Sequence, residues 1–157
     1  MDIAGEKWTD VLPAIISTVG FGLVIYQIWR LKLSVQGETH SRLYNHYLEI
    51  NKLLLAKPNL RPYFYENKVF GRGESGTEEA QLRGEVEMMC ELIAGLLEHA
   101  VLQKNKLPPD SWENCWKAYT YERFEKSGEL ERFFAENQKW YAKVFCDLVN
   151  ERSKTNR

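Results

Sequence analysis

Apolar residues are concentrated near the start of the chain, in a run from Val11 to Trp29 that carries no formal charge and has Gln27 as its only strongly polar side chain. At about 1.5 Å per residue, a helix of this length covers roughly 28 Å, the thickness of the hydrocarbon core of a bilayer. Trp8 precedes the run, and Tyr26 and Trp29 close it, as aromatic residues do at membrane interfaces. The pattern predicts a transmembrane helix over residues 10–30.

Beyond this run the apolar residues recur at spacings of three and four, and no strand-type alternation is longer than a few residues. The fold class predicted is therefore all-α, with one N-terminal transmembrane helix followed by a cytosolic bundle of about four helices. One stripe ends before Pro58, a second runs from Thr77 to Gln103, a third from Asp110 to Ser127, and a fourth from Glu129 to Asn150. Gly37 is the one local breaker before the first stripe, so a single helix and two joined helices both remain open.

Charge is distributed unevenly around this framework, although the net charge is only −1. Residues 30–68 are basic overall, and residues 74–98 are strongly acidic. Arg30 and Lys32 follow the apolar run directly, whereas its N-terminal flank is acidic, so the positive-inside rule places the N-terminus outside and the domain in the cytoplasm. The predicted organisation is a short extracytoplasmic N-terminus (1–9), the transmembrane helix (10–30), the cytosolic helical domain (31–150) and a basic tail (151–157).

Three polar residues occupy positions where the helical pattern calls for apolar ones: Asn51, Arg123 and Asn137. Burying such groups is costly unless they find partners. In one interpretation an Asn bonds a loop carbonyl, and Arg123 stacks on a tryptophan or lies at the end of the bundle. In the other, they form a pocket for an anionic, planar ligand together with Trp116 and His46.

The most distinctive local segment is Pro58–Tyr65, because two prolines enclose Arg61 and three consecutive aromatic residues follow the second proline. In an extended backbone, Tyr63 and Tyr65 would lie opposite Phe64. The segment is either a structural clasp across the bundle or a surface that presents Arg61, Tyr63 and Tyr65 to a ligand or protein partner.

Motifs of known chemistry give little support to catalysis. Residues 71–76 match G-x-G-x-x-G by letter, but a helix and an aromatic loop precede them where a dinucleotide site needs a buried strand. His40 and His46 are too far apart around a helix to share a metal ion, and no hydrolase motif is present. We predict no metal, no cofactor and no catalytic residue, and the net charge argues against nucleic acid as a partner.

Taken together, the N-terminal span, the segment Pro58–Tyr65, a Glu-flanked helix and a Trp-rich helix resemble a group of bacterial membrane-anchored, all-helical proteins without assigned function. The resemblance covers about residues 10–148. It implies a bacterial source, and thus the inner membrane as the location, and it transfers no catalytic residue.

Three functional hypotheses follow. The first is a non-enzymatic, single-pass protein that displays a helical interaction or sensing domain and self-associates through Ala14, Thr18 and Gly22, small residues on one side of the span. The second is a membrane effector triggered by a nucleotide-like signal, for example in antiphage defence. The third is an enzyme presented at the membrane.

Overall fold

A computed structural model describes residues 3–71 and 76–155 of the protein, and within these ranges the side chains of residues 3–12, 14 and 153–155 lie outside the description. Almost all of the described residues are helical, and none of them is in a β-strand. The prediction of an all-α fold is therefore confirmed.

Seven α-helices are present in the described part of the chain, together with short 3₁₀ and π turns. Their bounds are α1 Ile3–Ala56, α2 Arg61–Tyr65, α3 Thr77–Leu102, α4 Pro109–Ser111, α5 Lys117–Lys126, α6 Gly128–Asn137 and α7 Lys143–Thr155. The 3₁₀ turns are Pro58–Leu60, Lys104–Lys106 and Gln138–Trp140, and a π-helical turn over Trp112–Trp116 joins α4 to α5. Helix α1 runs through Gly37 without a break, so the alternative of two separate helices is wrong.

The chain forms two compact units, Met1–Glu38 and Thr39–Arg157. In the first unit every large apolar side chain from Ile15 to Leu33 is between 47% and 72% exposed. In the part of the chain that the structure describes, no helix is both long and apolar enough to cross a membrane. The predicted span begins among side chains outside the description, at residues 10–12 and 14.

The core of the second unit lies between α3 on one side and α5, α6 and α7 on the other. Helix α3 packs against α6 and α7, and the short helix α2 packs against α5 and α6. The C-terminal part of α1 adds Leu43, Ile50 and Leu54 to this core, with Tyr47 partly buried beside them. These four residues recur at the helical spacing of three and four and form the stripe predicted before Pro58, so this part of the pattern is confirmed.

The segment after Pro58 differs from the extended backbone considered above, because it folds into a 3₁₀ turn and then helix α2. Helical spacing places Tyr63 and Phe64 side by side in the core instead of on opposite faces. The chain leaves α2 through Asn67, whose φ of 53° is in the left-handed region. The Asn67 side chain accepts a 2.7 Å hydrogen bond from the backbone N–H of Gly128, which fixes this turn against the start of α6.

The C-terminal region also departs from the prediction, because the expected single helix from Glu129 to Asn150 is two helices, α6 and α7, separated by a 3₁₀ turn. The Glu98 carboxylate on α3 accepts a 2.6 Å hydrogen bond from the backbone N–H of Ala142, just before α7. This partner lies far away in sequence, and it satisfies a donor that a helix start leaves unpaired. The break brings Tyr141 and Phe145 to Phe134, with ring centroids 5.3–5.7 Å apart.

Candidate functional site

The most unusual group in the second unit is the guanidinium of Arg123, on the last turns of α5. The residue is only 8% exposed, and its Cζ lies 4.2 Å from the ring centroid of Tyr65 and 4.7 Å from that of Tyr119. Tyr119 is four residues earlier on the same helical run, so helical spacing brings it beside Arg123. Tyr65 comes from α2. The guanidinium is thus held by two cation–π contacts.

Helix α1 is connected to this pair through Asn51. The Tyr65 hydroxyl donates a hydrogen bond of 3.3 Å to Asn51 Oδ1, and Asn51 Nδ2 donates one of 2.9 Å to the backbone carbonyl of Tyr47. The Tyr47 ring in turn meets Tyr119 edge to face, with centroids 5.5 Å apart. Residues of three helices therefore fix the rings around Arg123. We call Tyr47, Asn51, Tyr65, Tyr119 and Arg123 the Arg123 cluster.

The charge of Arg123 has no counter-ion in this cluster. Glu122, its neighbour in the sequence, is paired with Lys126, which lowers the pKa of Glu122 most, and the charge of Arg123 lowers that pKa further. The Arg123 Nε is buried and has no hydrogen-bond partner among the described residues. Burial raises the pKa of Tyr119 well above its usual value, even though Arg123 acts in the opposite direction, so the phenol stays neutral near pH 7. A cation–π contact attracts the positive charge but gives its N–H groups no lone-pair acceptor.

An open, mostly aromatic groove adjoins the cluster and has a volume of about 330 Å³. It shares Tyr47 and Tyr119 with the cluster, and its other lining residues are His40, Tyr44, Cys115 and Trp116. Cys115 and Trp116 belong to the π-helical turn, a local irregularity that is frequent at functional sites. Tyr44 is half exposed, and Trp116 and Tyr119 meet edge to face with centroids 6.2 Å apart.

Of the residues predicted as a site, the structure brings together Arg123, Tyr65, Asn51 and, in the groove, Trp116. Exposed Arg61 lies at the edge of this group, with its Cζ 5.4 Å from the Tyr65 centroid. The stacking partners of Arg123 are two tyrosines, although a stack on tryptophan was the alternative considered from sequence.

The other predicted site residues lie elsewhere. Tyr63 is in the core, stacked on Phe70 with centroids 4.5 Å apart. Asn137 Nδ2 donates to the carbonyl of Phe133 at 2.8 Å, which is the backbone tie proposed as its alternative role. His46 is exposed on α1, and its ring lies 6.2 Å from that of His99.

The three small residues of the predicted membrane-packing face are described only in part. The side chain of Ala14 lies outside the described residues, and Thr18 is exposed. A Cβ added at Gly22 would meet nothing within 4 Å. Self-association through this face stays a prediction.

Tyr47 and Tyr119 are the cluster residues that reasoning from sequence missed as site residues. Both lie on the apolar stripes of their helices, where a tyrosine is indistinguishable from an ordinary core residue. The spacing of four between Tyr119 and Arg123 was the available signal for one of them.

A second group of charges is already neutralised. Glu129 is buried, and its carboxylate accepts hydrogen bonds from the backbone N–H of Phe70 at 2.8 Å and from Arg132 Nε and Nη2 at 2.9 and 2.8 Å. This network joins α6 to the loop after α2, which is a structural role. Among the described residues, no group of three or more potential metal ligands is close enough to hold an ion.

No family model, no curated protein and no solved structure matches this chain. Its functional assignment therefore depends on the geometry and chemistry described above. The two features of interest are the exposed apolar helix of the first unit and the Arg123 cluster with its groove in the second.

Proposed function

We propose that this chain is a single-pass membrane protein that displays a helical interaction or sensing domain on the cytoplasmic face, without catalytic activity of its own. The observation that carries the proposal is the exposure of every large apolar side chain from Ile15 to Leu33. Consecutive residues of a helix point about 100° apart, so Leu23, Val24 and Ile25 alone cover more than half of its circumference. A helix that is apolar on all sides is buried in protein or in lipid.

Lipid is the covering that the sequence favours. In the sequence, the uncharged run extends from Val11 to Trp29. It includes residues 11, 12 and 14, whose side chains lie outside the description. That length matches a bilayer core, and Tyr26 and Trp29 stand at its C-terminal end. Arg30 and Lys32 follow and favour the cytoplasmic side for everything after them.

Membrane extraction tests the proposal. Replacing Val19 and Leu23 together by Arg places two charges in the span, each at a cost of about 2.5–3.5 kcal/mol near its centre. After washing at alkaline pH, we expect the original chain in the membrane pellet and the double variant in the supernatant. A matched control, Gln81→Arg with Gln138→Arg, adds the same charge at exposed positions of the second unit and should remain in the pellet. An original chain that washes off would overturn the proposal.

A second candidate function is a ligand-triggered membrane effector, and the observation that favours it is the buried Arg123 of the second unit, whose Nε has no hydrogen-bond partner. Binding of an anionic signal there would change how copies of the chain associate in the membrane. The test uses the full chain in liposomes and a lysine-reactive crosslinker, with and without cyclic mono- and dinucleotides. An increase in crosslinked oligomers with one of these ligands is expected; equal crosslinking with all of them would count against this candidate.

A further inference from the structure

We propose that the Arg123 cluster and its groove form a binding site for a planar ring that carries a carboxylate or a phosphate, with Arg123 holding the oxyanion and the groove holding the ring. The inference names the ligand class for the site on which the effector candidate rests, and it does not depend on whether the first unit spans a membrane.

The burial of Arg123 costs free energy. A buried charge without a counter-ion is strongly destabilising, and an apolar side chain of similar size would pack between Tyr65 and Tyr119 without that penalty. The structure nevertheless places Arg123 there at 8% exposure, with Nε unpartnered. Tyr119 gives no compensation, because its raised pKa keeps it neutral. No acceptor among the described residues bonds the buried Nε, so the guanidinium is available to an anion from outside the chain.

The guanidinium of Arg123 selects the shape of the anion. A guanidinium presents its N–H donors as a planar fork, which matches the two oxygens of a carboxylate or a phosphate. The ring contacts of Tyr65 and Tyr119 hold the guanidinium carbon in place, so a ligand does not have to order this side chain. Such preorganisation lowers the entropy cost of binding. The oxyanion meets the guanidinium at the small part of Arg123 that remains exposed.

The groove selects the rest of the ligand. The groove shares Tyr119 with the cluster, and Tyr44, Tyr47 and Trp116 also line it. A volume of about 330 Å³ is at the lower end of the range for small-molecule sites. Aromatic walls favour a flat ring that stacks on them. No acidic residue is among the described lining residues, and Arg123 is close by, so a cationic ligand is disfavoured.

The experiment measures binding to the full chain in detergent micelles by isothermal titration calorimetry. The probes are phenyl phosphate, benzoate, inorganic phosphate and acetate, which separate the ring from the oxyanion and a phosphate from a carboxylate. We expect one of the two ring-bearing probes to bind at least about tenfold more tightly than the matching probe without a ring. The stronger of phenyl phosphate and benzoate then identifies the oxyanion.

Substitutions test the contribution of Arg123 and that of the groove separately. Arg123→Met should weaken binding of the ring-bearing probe by about tenfold or more, and Arg123→Lys should weaken it severalfold because the planar fork is lost while the charge is kept. Tyr44→Ala, at an exposed position, should weaken the ring-bearing probe and leave the fold intact. The control Lys117→Met removes one positive charge from the same helix outside the cluster.

Three results would overturn the inference. They are the absence of binding by all four probes, unchanged binding in folded Arg123→Lys, and equal affinity for probes with and without a ring. If Arg123→Met fails to fold, as judged by circular dichroism, Arg123→Lys still tests whether Arg123 binds the oxyanion, and Tyr44→Ala still tests whether the groove binds the ring. If the probes bind at this site but crosslinking of the chain stays unchanged, the effector candidate is refuted and the inferred binding site stands.

Discussion

Ser127 shows how much a single small side chain contributes at the residue scale. It is fully buried, its hydroxyl donates a 2.8 Å hydrogen bond to the carbonyl of Tyr63, and it accepts one of 3.1 Å from the backbone N–H of Leu130. It therefore caps the N-terminus of α6 and holds α2 against it at the same time. A sequence pattern identifies the cap, because Ser before a helix is typical of one, but it does not identify Tyr63 as the second partner.

Ser127→Ala should accordingly lower the free energy of unfolding by about 1–2 kcal/mol, since it removes the cap and leaves buried backbone groups without a partner. Urea unfolding followed by circular dichroism measures the change. Ser111→Ala is the matched control, because Ser111 makes no capping hydrogen bond with its side chain, and its effect should stay within about 0.5 kcal/mol. Equal effects of the two substitutions would show that the Ser127 contacts contribute nothing special.

The polar residues that lie on apolar stripes differ, at the residue scale, in whether they find a hydrogen-bond acceptor. Asn51 and Asn137 both bond the carbonyl four residues earlier, so their position on an apolar stripe has a local explanation. Arg123 finds no such acceptor for its Nε. All three were anomalies of the same kind in the sequence, and only the contacts distinguish the satisfied amides from the unsatisfied guanidinium.

At the scale of elements, the break between α6 and α7 depends on a residue of α3. The Glu98 carboxylate bonds the backbone N–H of Ala142 and places a negative charge at the positive end of the α7 dipole. Asn137 bonds back to Phe133 at the end of α6, as expected where a helix stops. The apolar spacing continues across the break, which explains why periodicity alone predicts one helix there.

Glu98→Ala should loosen α7 selectively, at a cost of about 1 kcal/mol, and Glu98→Gln should cost less because an acceptor oxygen remains. Hydrogen exchange measured by mass spectrometry should show faster exchange in the peptide that covers residues 142–150. Glu91→Ala, on the exposed face of the same helix α3, is the control and should leave that peptide unchanged. Unchanged protection in Glu98→Ala would contradict the assignment.

For the molecule as a whole, buried groups that stay protonated tie stability to pH. Burial raises the pKa of the Cys90 thiol from 9.0 to about 12, and it raises the pKa of Tyr141 from 10.0 to about 12. The unfolded chain therefore loses these protons at lower pH than the folded chain does. Their contribution to stability is complete below about pH 9 and is lost as the pH rises towards 12.

We expect the free energy of unfolding to be level between pH 7 and pH 8.5 and to fall steadily from pH 9 to pH 11. Urea unfolding at a series of pH values measures this dependence. Cys90→Ala removes the thiol from the titration and should make the decline shallower, after allowance for the smaller core. A stability that rises with pH over this range would contradict the assigned directions.

Burial also makes the thiol of Cys90 less reactive than that of Cys115. Cys90 is buried as a protonated thiol, whereas Cys115 is exposed in the groove. At pH 8, iodoacetamide should label Cys115 in the folded protein and should reach Cys90 only after denaturation, because the thiolate is the nucleophile. Peptide mapping by mass spectrometry distinguishes the two sites. Rapid labelling of Cys90 in the folded chain would show that the core opens readily.

The sequence by itself determined the features that depend on local spacing and composition. Periods of three and four gave the all-α class and the stripe of Leu43, Ile50 and Leu54, since a helix repeats its faces wherever it packs. The uncharged run from Val11 to Trp29 gave the hypothesis of a span in the same way. Asn51 and Arg123 stood out because a polar group on an apolar stripe conflicts with its local pattern.

Only the tertiary structure decided which distant groups meet. Arg123 contacts Tyr65, which lies 58 positions earlier, Glu98 caps a helix that begins more than 40 positions later, and Ser127 bonds the carbonyl of Tyr63. These partners are set by how the helices pack against one another, and helical periodicity carries no information about that packing. For the same physical reason, only the packed structure shows that the Arg123 Nε is buried without a hydrogen-bond partner.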